Sequence, residues 1–103
     1  MQHASVFVTC PDRETARRIA RELIARRLVA CANLLPVESL YAWDGDVREE
    51  PEFAMFLKTR RERVSEVVRA VEELHPHKVP CVVAFPLGEG SAAYYSWVDH
   101  ETA

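Results

Sequence analysis

A chain of 103 residues, 49% hydrophobic and 28% charged, is long enough for one globular domain and excludes extensive disorder. A net charge of −3 argues against a nucleic-acid partner, and no apolar run reaches the ~20 residues that cross a membrane. The first residues lack the features of a secretory signal, and three cysteines without paired spacing predict no disulfide framework. We therefore expect a single domain over residues 1–103 in the cytoplasm.

The first part of the chain predicts a strand and an amphipathic helix. Residues 5–10 form a β-branched and aromatic run that stops at Pro11, which is typical of a strand. Asp12 is a favourable N-cap, and apolar residues follow it at helical spacing with arginines on the opposite face. The apolar set is Ala16, Ile19, Ala20, Leu23, Ile24 and Leu28. We interpret the arginines as a solvated helix face rather than a nucleic-acid patch.

The middle of the chain predicts a long β-hairpin. Residues 29–37 indicate a second strand, in which Pro36 implies a bulge or a sheet edge because proline cannot donate to a ladder. Asp44 and Gly45 then separate two strand-like runs, and this pair favours the mirror-image turn that needs positive φ at both residues. The returning strand, 53–59, begins with a run that is apolar on both faces. Such a strand suggests burial by a second copy of the chain.

The remaining sequence predicts a helix, a strand and a short final helix. Thr59 and Glu62 match a capping box at the start of the helix. The helix must end near His75, because the residue before a proline is pushed out of the α region. Its apolar face consists of Val64, Val67, Val68, Val71 and Leu74. Residues 79–85 indicate a fourth strand, and Ser91 can cap a short C-terminal helix.

The predicted element order is β-α-β-β-α-β followed by a small helix. Each crossover helix has one apolar stripe, so both helices should pack on one face of a four-stranded sheet. Right-handed crossovers then favour an α+β, ferredoxin-like arrangement with the strands in the spatial order 4-1-3-2.

Several collinear motifs make the sequence similar to the CutA family of divalent-cation tolerance proteins. They are Val8-Thr9-Cys10-Pro11-Asp12, Leu28-Val29-Ala30-Cys31-Ala32-Asn33-Leu34-Leu35-Pro36, Tyr41-Ala42-Trp43-Asp44-Gly45, Leu57-Lys58-Thr59, Leu74-His75-Pro76-His77-Lys78-Val79-Pro80 and Tyr94-Tyr95-Ser96-Trp97. The resemblance implies a ferredoxin-like fold and a tight homotrimer held by the long hairpin strands. It also implies binding of copper or another divalent metal ion, and no organic cofactor.

Three positions depart from the family pattern. His77 stands where many members carry tyrosine, and Cys81 stands where they often carry glutamate. Val8 occupies the position at which copper-binding bacterial members carry a cysteine. The resemblance therefore implies copper binding that is weaker or differently placed than in those relatives.

The candidate soft-metal ligands are Cys10, His75, His77 and Cys81. In the predicted topology the end of the first strand lies beside the start of the fourth, which would bring these side chains together. Thiolate and imidazole suit Cu(I) or Zn(II). The alternative is structural: the cysteines are small buried hydrophobes, and His75 caps the last turn of its helix. Cys31 begins the second strand at the opposite end of the sheet, and we expect it in the core.

The aromatic candidates for a ligand pocket or a subunit interface are Tyr41, Trp43, Tyr94 and Trp97. We favour an interface, because a chain this small cannot bury so many rings alone. Glu52 and Lys58 on the third strand either border an inter-subunit cleft or form a solvated charge pair.

Catalytic motifs are missing from the sequence. It contains no nucleophile elbow, no zinc-protease helix and no glycine-rich phosphate loop, so we do not expect an enzyme. Two functions remain open: a cytosolic metal-binding protein, or a trimeric signalling or scaffold module that binds a small ligand or partner in inter-subunit clefts.

Overall fold

Four antiparallel strands form one sheet in this computed structural model, which describes residues 2–103. The strands are β1 (His3–Cys10), β2 (Cys31–Trp43), β3 (Asp46–Arg60) and β4 (Val82–Pro86), in the order β2-β3-β1-β4. This is the predicted order 4-1-3-2 counted from the other edge. The helices are α1 (Arg13–Ala25), α2 (Val64–Leu74) and α3 (Ala92–Glu101). The ferredoxin-like prediction is confirmed.

Three of the predicted helix boundaries, those at Asp12, His75 and Ser91, are correct. Asp12 caps α1 by accepting a hydrogen bond from the Thr15 backbone N–H at 2.7 Å, and Ser91 caps α3 through the Tyr94 N–H at 3.2 Å. His75 ends α2 in an extended conformation, with φ −77° and ψ 138°. The first helix stops at Ala25, before Leu28, because the chain turns into a left-handed conformation two residues later.

The predicted capping box before α2 is wrong. Thr59 belongs to β3, and its buried hydroxyl donates to the Leu28 carbonyl at 2.7 Å instead of capping a helix. A short 3-10 turn, Arg61–Arg63, leads into α2 without a side-chain cap. Thr59 thus forms a long-range hydrogen bond to the α1–β2 connection in place of the predicted cap at the start of α2.

The hairpin is longer than the sequence predicts and has the predicted turn. Asp44 and Gly45 have φ values of 50° and 82°, and the β2–β3 ladder extends from the Cys31–Lys58 pair to the Trp43–Asp46 pair. Pro36 lies within β2, where its missing N–H is tolerated because β2 is an edge strand. β4, in contrast, starts only at Val82 and is shorter than expected.

One face of the sheet carries the core. Met55 and Leu57 of β3 are fully buried beside Val6 and Val8 of β1, and both crossover helices pack on this face. The apolar run 53–57 is therefore buried largely within the subunit. Only its opposite face is left for a second copy of the chain.

The other face of the sheet, here called the open face, is apolar and partly exposed. Phe7 contacts Phe56 and Phe85 at ring-centroid distances of 5.3 and 6.4 Å, and Phe85 is 50% exposed. Helix α3 covers one end of the open face, where Tyr95 stacks on His3. Within residues 2–103, no helix is long and apolar enough to cross a membrane.

Candidate functional site

Cys10 is a buried thiol on the core face of the sheet. It alternates with Val6 and Val8 along β1 and has no exposed surface. Burial, with a smaller effect of the nearby Glu52 carboxylate, raises the pKa of Cys10 to about 11. The Cys10 side chain packs in the core of its own subunit and does not line the cleft that holds His77 and Cys81. Cys10 therefore fits the alternative interpretation, in which it is a small buried hydrophobic residue.

His75 uses both ring nitrogens for structure. Its Nδ1 accepts the His77 backbone N–H at 3.0 Å, so the ring proton lies on Nε2, which donates to the Thr9 carbonyl at 2.8 Å. Burial of the ring lowers the pKa of His75 and favours this neutral form. The ring therefore joins β1 to the loop after α2. His75 also closes the last turn of α2, as the sequence suggested, because its backbone N–H donates to the Val71 carbonyl at 2.8 Å. Its ring has no free nitrogen for a metal.

His77 and Cys81 are exposed and line the same cleft. This hairpin cleft has a volume of about 820 Å³ and lies between the outer part of the β2–β3 hairpin and the loop that connects α2 to β4. Its lining residues are Thr9, Glu38, Ser39, Leu40, Tyr41, Trp43, Arg48, Glu52, Pro76, His77, Lys78, Val79, Pro80 and Cys81. These two residues are the predicted metal ligands that solvent can reach.

The four predicted ligands do not form one site. Thr9 and Cys81 line the hairpin cleft, whereas the neighbouring Cys10 faces the core. Across the described chain, no group of three or more histidine, cysteine, aspartate or glutamate side chains is arranged to hold a metal ion. Of the four predicted ligands, one subunit brings only His77 and Cys81 to the surface of one cleft.

The hairpin cleft combines exposed apolar walls with charges of both signs. Trp43 is 45% and Val79 70% exposed, and the lining also includes two carboxylates and two basic side chains. Tyr41 donates its hydroxyl proton to the Glu50 carboxylate across the hairpin, which raises the pKa of Tyr41. Such a surface can bind a cation or a small organic molecule.

The six predicted cleft or interface residues divide between two ends of the sheet. Tyr41, Trp43 and Glu52 line the hairpin cleft. The other end of the sheet holds Lys58, Tyr94 and Trp97. There Lys58 donates to the Asn33 side-chain oxygen, and the Tyr94 and Trp97 rings lie 5.8 Å apart. Within one subunit, Glu52 and Lys58 therefore do not border a common cleft.

Cys31 lies beside α3 and not in the main core, contrary to expectation. Its sulfur is 3.2 Å from the Tyr94 hydroxyl, and the thiol is only partly buried. Burial and this contact raise the pKa of Tyr94 to about 12. Cys31 does lie at the opposite end of the sheet from Cys10, as predicted.

Sequence reasoning missed part of the cleft wall, notably Arg48 and Glu38. The position of the turn offered a signal for Arg48. Counting residues outward from Asp44 and Gly45 along both strands places Arg48 opposite Tyr41, and these two residues do pair in the sheet. Glu38 could not be found this way, because its place in the wall depends on how the hairpin bends relative to the rest of the sheet.

The fold and the hairpin cleft define a class of small ferredoxin-like α+β protein with a cleft between a long hairpin and a helix-strand loop. The family model described as CutA1 divalent ion tolerance protein matches residues 4–101. The chain belongs to the CutA family.

Relatives from an archaeon, an animal and a plant support this membership. A divalent-cation tolerance protein CutA of Archaeoglobus fulgidus is 37% identical over 94% of this chain and 95% of its own length. The human protein CutA is 38% identical over 96% of this chain, which spans 56% of the human sequence. A CutA1 crystal structure from Oryza sativa superimposes with a TM-score of 0.96 at 33% identity, covering 100% of this chain and 95% of that one.

A structure from A. fulgidus, described as a periplasmic divalent cation tolerance protein CutA, has the same TM-score of 0.96 at 36% identity. It covers 98% of this chain and 99% of the archaeal one. The likeness therefore includes the hairpin, both crossover helices and α3, and not only the sheet.

Proposed function

We propose that this CutA family member is a non-enzymatic homotrimer that confers divalent-cation tolerance by binding copper or another soft divalent metal in the hairpin cleft. His77 and Cys81 are the protein donors in one subunit. A cation needs further ligands, and these come from the cleft carboxylates or from a neighbouring subunit.

The observation that carries this proposal is the shared position of His77 and Cys81. Both are exposed and both line one cleft together with Glu38 and Glu52. An imidazole and a thiolate form a donor pair that suits Cu(I) and Zn(II), and acidic neighbours attract cations. The donors that the sequence also suggested, Cys10 and His75, are already buried or hydrogen-bonded.

A titration of the reduced protein with Cu(I) against a competing chromogenic chelator tests the proposal. We expect Cys81→Ser and His77→Ala each to weaken binding by about tenfold or more, because each removes a ligand. Cys10→Ala is the matched control and should bind as the wild type does. Binding should also weaken as the pH falls, because the imidazole must be neutral and the thiol deprotonated. Equal loss in the Cys10 and Cys81 variants would contradict the proposal.

The homotrimer is supported by the open face of the sheet. Phe85 and Val83 are 50% and 47% exposed there, next to the Phe7 and Phe56 rings. Exposed apolar patches of this kind mark protein–protein contacts. The hairpin tip adds Leu40 and Val47, which are 60% and 71% exposed.

A small organic ligand is the second candidate occupant of the hairpin cleft. The cleft volume, about 820 Å³, lies within the usual range of ligand pockets, and Trp43 provides an exposed aromatic wall. Trp43→Ala distinguishes the two functions. It should leave Cu(I) binding unchanged if the cation is the ligand, and it should abolish ligand-induced thermal stabilisation if an organic molecule is.

A reducing compartment, the cytoplasm, suits this metal site. Cys81 is exposed and unpaired, and it can act as a ligand only while its sulfur stays reduced. Fractionation of cells that express the native gene tests the location, and recovery in a periplasmic or secreted fraction would contradict it.

A further inference from the structure

Three arginines converge on the last turn of α3. The Arg27 Nη2 donates to the His100 carbonyl at 2.6 Å, and the Arg63 Nε donates to the Thr102 carbonyl at 3.0 Å. Arg60 donates to the same Thr102 carbonyl and, at 2.9 Å, to the Thr102 hydroxyl. We call Arg27, Arg60 and Arg63 the arginine clasp. They come from the α1–β2 connection, the end of β3 and the 3-10 turn, so the clasp joins three parts of the fold to one helix end.

The arginine clasp acts where a helix has unsatisfied groups. The last carbonyls of an α-helix have no partner within the helix and carry partial negative charge, so cations stabilise this end. Guanidinium groups also form stronger hydrogen bonds than neutral donors do. The clasp therefore provides polar anchoring for α3 at its C-terminal end.

Apolar anchoring of α3 is weak by comparison. Within residues 92–101, all of which the structure describes, Val98 is the one buried residue. The main hydrophobic core, as formed by the described residues, includes no side chain from α3. Other contacts of α3 are also polar or aromatic, such as the 2.7 Å bond between His3 and Asp99 and the stacking of Tyr95 on His3.

Arg27 has an unusual backbone conformation for a residue with a side chain. Arg27 has φ 59° and follows α1 at the position where glycine is the usual residue. Leu28 closes the same turn by donating its N–H to the Leu23 carbonyl at 2.9 Å. An arginine costs more backbone strain here than glycine does, and its guanidinium bonds to α3 from this position.

We propose that residues 92–103 form a strap that opens from the sheet as a unit, while the sheet and the two crossover helices stay folded. The arginine clasp sets how often the strap opens. Opening separates Tyr94 from Cys31 and uncovers the end of the open face that carries Cys31 and Lys58. The strap is a conformational device of this fold and is independent of the cation site, which lies at the other end of the sheet.

Amide hydrogen exchange on the full chain, followed by mass spectrometry, tests the strap. We expect the amides of residues 95–102 to exchange faster than those of β1 and β3, because a strap opens at a lower free energy than the core. Arg60→Gln should accelerate exchange in the strap by about tenfold or more, because it removes the charge-assisted hydrogen bonds of Arg60 to the Thr102 carbonyl and hydroxyl, and it should leave β1 and β3 unchanged. Arg61→Gln is the matched control, since its exposed side chain makes no hydrogen bond with α3 among the described residues.

A second variant separates opening of the strap from general destabilisation. Arg27→Gly removes the guanidinium but relieves the positive φ, so the core should keep its stability. We expect faster exchange in the strap and faster reaction of Cys31 with a bulky aromatic disulfide reagent. The buried Cys10 should react as slowly as in the wild type. Uniform acceleration across the chain, or no change in the strap in either variant, would overturn the proposal.

Discussion

Two buried hydroxyl groups on neighbouring strands differ in their hydrogen bonding. The Thr59 hydroxyl donates to the Leu28 carbonyl, whereas the Ser5 hydroxyl has no partner among the described residues. Thr59→Val keeps the shape but leaves that carbonyl unpaired, so we expect a loss of about 1–2 kcal/mol in the free energy of unfolding. Ser5→Ala removes an unsatisfied buried group and should be neutral or stabilising by up to about 1 kcal/mol. Urea unfolding measures both variants, and equal losses would contradict this assignment.

His75 links the stability of the metal-free protein to pH. Burial lowers the pKa of His75 in the folded state below its usual value of about 6.5, so the unfolded chain takes up the proton first. Its contribution to stability is therefore complete above pH 6.5 and decreases as the pH falls towards the folded-state pKa. We expect urea midpoints to drop between pH 7 and pH 5, and this drop to shrink in His75→Gln but persist in His77→Gln. A drop that is unchanged in His75→Gln would refute this role.

The four predicted metal ligands show which features of a site the sequence can and cannot reveal. The burial of Cys10 was predictable, since it alternates with Val6 and Val8 and so shares their face. The partner of His75 was not predictable, because the Thr9 carbonyl is 66 residues away in sequence and no local pattern indicates it.

At the scale of elements, the sequence predicted every strand and helix but not all of their ends. Apolar periodicity identified α1 and α2, and side-chain caps marked the starts of α1 and α3, because both are local properties of the chain. The outer part of the hairpin pairs through residues such as Arg48 and Glu50, whose polarity concealed the strand. The capping box failed because Thr59 had a better partner in the folded protein.

The hairpin turn should be sensitive to loss of glycine. Gly45 has φ 82°, and a Cβ built there would meet nothing within 4 Å, so a side chain costs only backbone strain. We expect Gly45→Ala to lower the free energy of unfolding by about 1 kcal/mol. Gly88→Ala is the control: it also has open space but no positive φ, and it should be neutral or slightly stabilising. Thermal or urea unfolding measures the stability of both variants. Equal effects of the two substitutions would contradict the turn assignment.

For the whole molecule, the open face predicts assembly. We expect sedimentation to show a species of three times the chain mass of 11.8 kDa. Phe85→Glu should dissociate it without unfolding the subunit, because this side chain is half exposed in the single chain and a charge would be unpaired in an apolar interface. Ile24→Glu, on the helical side of the molecule, should remain trimeric. A wild-type monomer at micromolar concentration would refute the trimer.

A charge placed in the apolar run 53–57 would be a poor test of assembly. Met55 lies in the core of its own subunit, so a charge there would unfold the chain before it tested an interface. Phe85 on the open face avoids this ambiguity.

We propose that the cation binds in the hairpin cleft and not between Cys10 and His75. Anomalous diffraction from crystals of the reduced protein grown with zinc tests it most directly. We predict a peak about 2.3 Å from the Cys81 sulfur and about 2.0 Å from a His77 ring nitrogen. A peak beside Cys10 or His75, or no peak in the cleft at full zinc loading, would contradict the claim.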